Sequence, residues 1–262
     1  MKKNNNYENQ LALIQEDNIN VSTTNEGKDF LILLSGIVGI VLIFLFSFSF
    51  LSSIYIDRMP VETQLKIESI FSAKQYIKTD KKYNKKIVQL NHLKELIIKN
   101  DINLQNKSKF DINILMNKEI NAMISPDGSI IFTSGIIEKD LTEQELAFVL
   151  AHELGHYSHR DHLKSISKQV GIIALCLITG QSSHLQSIVQ GISETEFLSH
   201  SRKQEKEADL YASRMLIKLY GTNNGGKNFI KRLKDNEKTP EFFSYFSTHP
   251  SWEERYRLLE AK

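Results

Sequence analysis

The stretch from Phe30 to Ile56, FLILLSGIVGIVLIFLFSFSFLSSIYI, contains no charged side chain. It is longer than the ~20 apolar residues that cross a bilayer core as a helix. In hydrocarbon every backbone amide and carbonyl must find its partner within the segment, so a helix is the structure such a run can form. We read it as a transmembrane anchor. A cleaved signal peptide fits less well, because its apolar core is short and lies close to a basic start; here residues 1–29, rich in Asn and acidic groups, come first as a flexible tail. Lys2, Lys3 and Lys28 precede the run, and Arg58, Lys66 and Lys74 follow it. The positive-inside comparison is therefore nearly balanced.

Residues 57–262 then form one domain. The chain is 41% hydrophobic and 24% charged, enough apolar material for a single buried core. Its 33 basic and 31 acidic side chains leave a formal net charge of +2, which sets up no broad field to concentrate a polyanion, so nucleic acid is not an expected partner. The single cysteine, Cys176, has no intramolecular partner, and its apolar neighbours suggest a core thiol.

Apolar spacing predicts two helices over Val61–Asn100, joined by a Lys-rich stretch from Lys78 to Lys86 that reads as a solvated face, with lipid binding as the alternative. From Phe110 short β-like pieces follow: FDINILM, NAMIS, a Pro126-Asp127-Gly128 turn and SIIFTSG, predicting a small antiparallel sheet. Thr142 followed by Glu145 is a capping box opening the helix LTEQELAFVLAHELGHYSHRDH. Gly171 to Gly180 is apolar but too short to span a bilayer, and a buried helix is expected there, with a dip into the membrane as the alternative. Ser199 to Tyr220 reads as another helix, stopped by Gly221, and the GTNNGG loop and a further helix lead to STHPSWEERYRLLE.

His152 and His156 stand four apart in HELGH, so on a helix both imidazoles lie on one face, about a turn apart, within reach of one ion. Glu153 then sits where it can take a proton from water. A catalytic zinc ordinarily has three protein ligands and an open position, so a third ligand is required. His162 has the spacing of the extended motif HExxHxxGxxH, but the turning Gly is His159 here, so the helix is expected to continue and carry His162 away. Glu205 in SRKQEKEAD is preferred, since Asp209 at i+4 lies on the same face, placed to accept a hydrogen bond from the outer nitrogen of a liganding histidine. Glu207 faces elsewhere.

With NAMISPDGSIIFTSGII, LTEQELAFVLAHELGHYSHRDH, SRKQEKEADLYA and STHPSWEER in hand, the chain resembles the membrane-associated zinc metallopeptidases that include the HtpX heat-shock proteases and the CAAX prenyl endopeptidases. The resemblance spans about Asn121 to Leu259. It implies an α+β, mainly helical zincin-like domain and one zinc ion per chain, with His152, His156 and Glu205 as ligands and Glu153 as general base. Asp209 is implied as a second acid or orienting group. It also suggests that the strand with Asn121 and Ala122 lines the cleft and pairs with an extended peptide. His249 is a candidate donor to the developing oxyanion, with a turn residue as the alternative. Arg202 is expected to pair with a site carboxylate, the alternative being the surface. His92, His159, His184 and His200 read as surface or packing residues. Several members of that family carry more than one membrane span and this chain shows one clear span, which favours misfolded or membrane-proximal protein chains as substrates and an extracytoplasmic domain. A non-catalytic zinc-holding membrane chaperone or assembly factor is the rival reading. The sequence does not set the oligomeric state.

Overall fold

The computed structural model describes residues 26–68, 80–105, 110–178, 200–250 and 252–260. Residues 1–25 of the expected tail, Lys78 of the basic stretch, Cys176 and the 181–184 segment with His184 lie outside the residues or side chains described. The chain divides into two compact units, one ending at Ser47 and one running from Phe48 to Lys262. Helix α1, Glu26–Arg58, contains the charge-free run, and among the described residues it is the one helix long and apolar enough to cross a membrane.

After α1 come α2 (Val61–Glu68) and α3 (Asn84–Lys99). Helix α3 buries Leu90, Leu93 and Ile97, a stripe at helical spacing. Lys94 is also buried there, its ammonium donating to the Phe110 carbonyl at 2.7 Å and to Asn91 at 2.9 Å.

The sheet consists of β1 (Asp111–Leu115), β2 (Ala122–Ile124) and β3 (Ser129–Thr133), in the order β1-β3-β2. It is mixed rather than antiparallel: β2 pairs antiparallel with β3, but β1 pairs parallel with it, Asp111 opposite Ser129 and Leu115 opposite Thr133. The chain reverses twice between β1 and β3, so those two strands run the same way, and the one in the middle of the sheet is β3. All its residues are buried, as the central strand of a covered sheet should be. The predicted Pro126-Asp127-Gly128 turn closes the β2–β3 hairpin, with Gly128 at φ 81°, a left-handed conformation that glycine adopts without strain.

Helix α4 (Glu143–Ser158) is capped by the predicted box: Glu145 N donates to Thr142 Oγ1, and Glu145 Oε2 accepts from Thr142 N at 2.8 Å. Arg232 pairs with the same Glu145 at 3.1 Å. The expectation that this helix continues past His159 is overturned. Arg160 takes φ 58°, and a new helix, α5 (Asp161–Ile178), begins beside it. A non-glycine residue there costs about 1–2 kcal/mol. The Arg160 guanidinium offsets that cost by donating to the carbonyls of Ile56 and Met59 at the end of α1.

Helix α6 (Arg202–Tyr220) lies along α4, with α7 (Asn224–Asp235), α8 (Phe243–Thr248) and α9 (Trp252–Glu260) closing around the pair. The α4–α6 approach is close because HELGH contains a glycine: a Cβ on Gly155 would stand 3.0 Å from the Tyr211 ring and 3.3 Å from Ala208 Cα. Gly225 is more constrained, since a Cβ there would stand 2.3 Å from the Gln144 carbonyl oxygen, whereas Gly221, at φ 72°, has nothing within 4 Å. Gly225→Ala is therefore expected to cost about 2–3 kcal/mol, at the high end for overpacking, and Gly221→Ala about 1 kcal/mol from its left-handed backbone alone. Thermal unfolding of the two full-length variants measures the order, and equal losses or the reverse order would contradict the packing described.

Candidate metal centre

Helix α4 places His152 and His156 one turn apart on its buried face, and α6 brings Glu205 against them. His152 Nε2 and His156 Nε2 are 3.0 Å apart. Glu205 Oε1 lies 3.2 Å from His156 Nε2, and Glu205 Oε2 lies 3.5 Å from His152 Nε2. His249, at the end of α8, adds a fourth group: its Nδ1 is 3.3 Å from His152 Nε2 and 3.1 Å from Glu205 Oε1. One ligand atom from each of these four buried residues falls within 4.8 Å of the others.

The outer nitrogens explain the aim of the inner ones. His152 Nδ1 faces Asp209 Oδ1 at 2.9 Å, and His156 Nδ1 faces Asp161 Oδ2 at 2.9 Å. An Nδ1–H given to a carboxylate leaves the Nε2 lone pair free as a ligand, with the ring fixed in orientation. Two such lone pairs aimed at each other repel unless a proton or a cation lies between them. Glu205 Oε2 is buried with no hydrogen bond, and its 2.9 Å approach to Arg255 Nη1 is an ion pair without hydrogen-bond alignment. These donors fit a borderline cation such as zinc, which takes imidazole nitrogen and carboxylate oxygen together.

Electrostatics point the same way. Burial pushes the His156 imidazole toward its neutral form, but the hydrogen bonds to Asp161 and Glu205 and the charges of Glu205 and Glu153 outweigh it, raising the pKa to about 10. Burial works against the Glu205 carboxylate, yet His249, Arg255 and His152 hold it well below the usual range. Asp209 is likewise depressed: burial opposes its charge, and Arg255 and His152 prevail. The pocket therefore holds positive charge tightly at its centre.

Asp209, Glu205 and the two histidines, all singled out from their spacing, lie together in one buried group. Glu153 is buried beside them, its Oε1 without a hydrogen bond and 3.5 Å from His249 Nε2. Asn121 and Ala122 are buried at the start of the edge strand β2; Ala122 N donates to Asn121 Oδ1 at 2.9 Å, and Ala122 O lies 3.5 Å from His249 Nε2. His162 stays out of the group and stacks on Tyr157 at 4.6 Å. Arg202 is not in the site; it pairs with Glu254 at 3.2 Å on the surface, its side chain 73% exposed, and the guanidinium beside Glu205 is that of Arg255.

Three participants were not singled out in the sequence. Arg255 is buried and donates to Asp209 through Nε at 2.7 Å and Nη2 at 2.8 Å. It sits in STHPSWEER, so the motif carried the signal, but only the fold turns it inward. Asp161 was hidden by the expectation of a continuous helix. His200 stacks on the His156 ring at 3.6 Å with planes 9° apart, a contact without any sequence period.

Residues 86–262 match the family model of peptidase family M48. The chain is 26% identical over 155 residues to mitochondrial metalloendopeptidase OMA1 of Schizosaccharomyces pombe, an alignment covering 58% of this chain and 46% of that protein. It is 27% identical over 165 residues to the beta-barrel assembly-enhancing protease of Yersinia pestis, covering 55% of this chain and 32% of that one. A second mitochondrial metalloendopeptidase OMA1, from Arabidopsis thaliana, is 29% identical over 141 residues, 53% of this chain and 29% of its own. The chain spans less than half the length of these curated relatives. The family resemblance read from the four motifs and the mainly helical α+β architecture both hold, and the chain belongs to peptidase family M48.

Proposed function

We propose that this chain is a zinc-dependent endopeptidase that hydrolyses peptide bonds of protein substrates at a membrane. In this reading His152, His156 and Glu205 hold one zinc ion and Glu153 is the general base. The observation that carries it is the convergence of both Nε2 atoms and a Glu205 oxygen on one point, with each outer imidazole nitrogen facing a buried carboxylate. Zinc in such a site lowers the pKa of water toward ~7 and polarises a carbonyl as a Lewis acid.

The remaining steps belong to the protein. Glu153, next to His152 and without a hydrogen bond at Oε1, takes the proton of the attacking water and returns it to the leaving amine. Asp209 and Asp161 keep the two imidazoles in the tautomer that faces inward, and Arg255 keeps Asp209 ionised and in place. His249 serves as donor to the developing oxyanion, for which its ring must first turn out of the ligand group. The edge position of β2 supports pairing of an extended peptide alongside Asn121 and Ala122; the peptide takes over the Ala122 groups now directed at Asn121 and His249. Misfolded or membrane-proximal chains fit as substrates, with α1 (through Phe30 to Ile56) as a single-pass anchor and the domain on the extracytoplasmic side.

One observation favours a second reading, a non-catalytic zinc-holding membrane chaperone or assembly factor. His249 Nδ1 lies where a fourth ligand would close the site to water. Glu153→Gln separates the two. The proposed mechanism expects casein cleavage by the full-length variant to fall by about 10²–10⁴-fold with zinc content unchanged. Cleavage at the parent rate would overturn it, and a parent without any cleavage would favour the closed site.

A pH series tests the ion itself. The folded His156 pKa, raised to about 10, lies above its unfolded value of ~6.5. Its proton thus stabilises metal-free protein fully below ~6.5, and that contribution is lost as pH rises toward 10. A metal competes with the same proton. Stripped protein is expected to lose thermal stability between pH 6.5 and 10, while zinc-loaded protein gains relative to it over that range. A stability difference independent of pH would argue against histidine ligation.

A further inference from the structure

Helix α5 lies antiparallel along the last turns of α1. Ile56 and Met59 cluster with Leu163 and Ile166, Ser52 bonds Ser167 at 3.1 Å, and a Cβ on Gly171 would come within 2.7 Å of the Phe48 ring. Beside this seam, and bounded also by the first turn of α6, is a cavity of about 160 Å³. One wall is Ser49 and Ser53, both inside the charge-free run of α1. The opposite walls contribute Lys164, Lys168 and Lys203 against a single carboxylate, Glu207.

Two of the lysines are not used up within the fold. Lys164 donates to the His159 carbonyl and pairs with Asp57, each at 3.0 Å, and stands 3.8 Å from Asp161, so its charge is largely met. Lys203 is 84% exposed and only 3.8 Å from Glu207. Lys168 is exposed and makes no hydrogen bond or ion pair with the described residues. Ser201, the N-cap of the long helix α6, lines the same cavity, so the partial positive end of that helix adds to the field. Helix α1 exposes apolar side chains over these same turns, Phe50 at 58% and Leu51 at 63%, as a segment entering hydrocarbon would.

Positive charge and serine hydroxyls at the end of a membrane anchor are complementary to the anionic head of a lipid. We propose that this cavity seats the phosphate headgroup of an anionic membrane phospholipid, its acyl chains remaining in the bilayer that α1 enters. One wall belongs to the charge-free run itself, which puts the cavity where lipid headgroups are concentrated and free phosphate is not. Gln204, which also lines the cavity, immediately precedes Glu205, so a bound headgroup holds the turn from which Glu205 reaches the metal centre.

The test uses full-length protein in neutral detergent with short-chain dihexanoyl lipids, bound lipid being measured by native mass spectrometry. Phosphatidylglycerol is expected to bind at least tenfold more tightly than phosphatidylcholine. The double variant Lys168→Glu/Lys203→Glu, both surface positions, should weaken it by roughly 10- to 30-fold, from about 1 kcal/mol per basic residue at a lipid surface. An unchanged melting temperature without lipid establishes that the variant is folded; for a variant that melts early, Lys168→Gln/Lys203→Gln is measured in its place and a loss of about tenfold is expected. Equal binding of the two lipids, full retention by the variants, or displacement of phosphatidylglycerol by equimolar inorganic phosphate would overturn the proposal.

Discussion

Everything in this domain turns on the orientation of two imidazole rings. His152 and His156 can aim their Nε2 atoms at one point only because Asp209 and Asp161 accept from the other side of each ring, at 2.9 Å in both cases. Those carboxylates are themselves buried charges, which are costly unless paired. Arg255 meets the cost at Asp209 with two hydrogen bonds, and the His156 ring does so at Asp161, supported by Lys164 at 3.8 Å. The polar core is thus a chain of mutual dependences, and truncating one member leaves another charge buried without its partner.

The scaffold exists to hold that chain in register. Helix α4 is fixed at its start by the Thr142–Glu145 box and Arg232, and at its end by the Arg160 turn. Gly155 lets α6 come close enough for Glu205 to reach the histidines. Tyr211, one turn beyond Ala208 on α6, donates to Asp101 at 2.7 Å, and Ser158 at the end of α4 reaches the same carboxylate at 3.2 Å. One buried aspartate so ties α4 and α6 together beside the site.

Much of this was legible in the sequence because it depends on local period. The capping box, the i, i+4 histidines, the i, i+4 pair Glu205 and Asp209, the Gly221 stop and the charge-free run of α1 are all short-range patterns that one helix enforces. What was not legible depends on chain reversals. The parallel pairing of β1 with β3 follows from which strand occupies the middle, and nothing local specifies it. Asp161 joined the site because Arg160 adopts a left-handed conformation, which residue type alone did not signal. Arg202 and Arg255 show the same limit: both are arginines in quoted motifs, and only the packing of α9 on α6 decides that Arg255 turns inward while Arg202 remains in solvent.

The central claim is that two imidazoles and the Glu205 carboxylate together grip one divalent ion. Its most direct measurement is the metal content of full-length protein purified without chelators, by mass spectrometry of the element, beside a Glu205→Gln variant prepared identically. The account predicts close to one zinc per chain in the parent and a substantial loss in the variant. A folded parent devoid of divalent metal, or a variant that keeps its full complement, would contradict it.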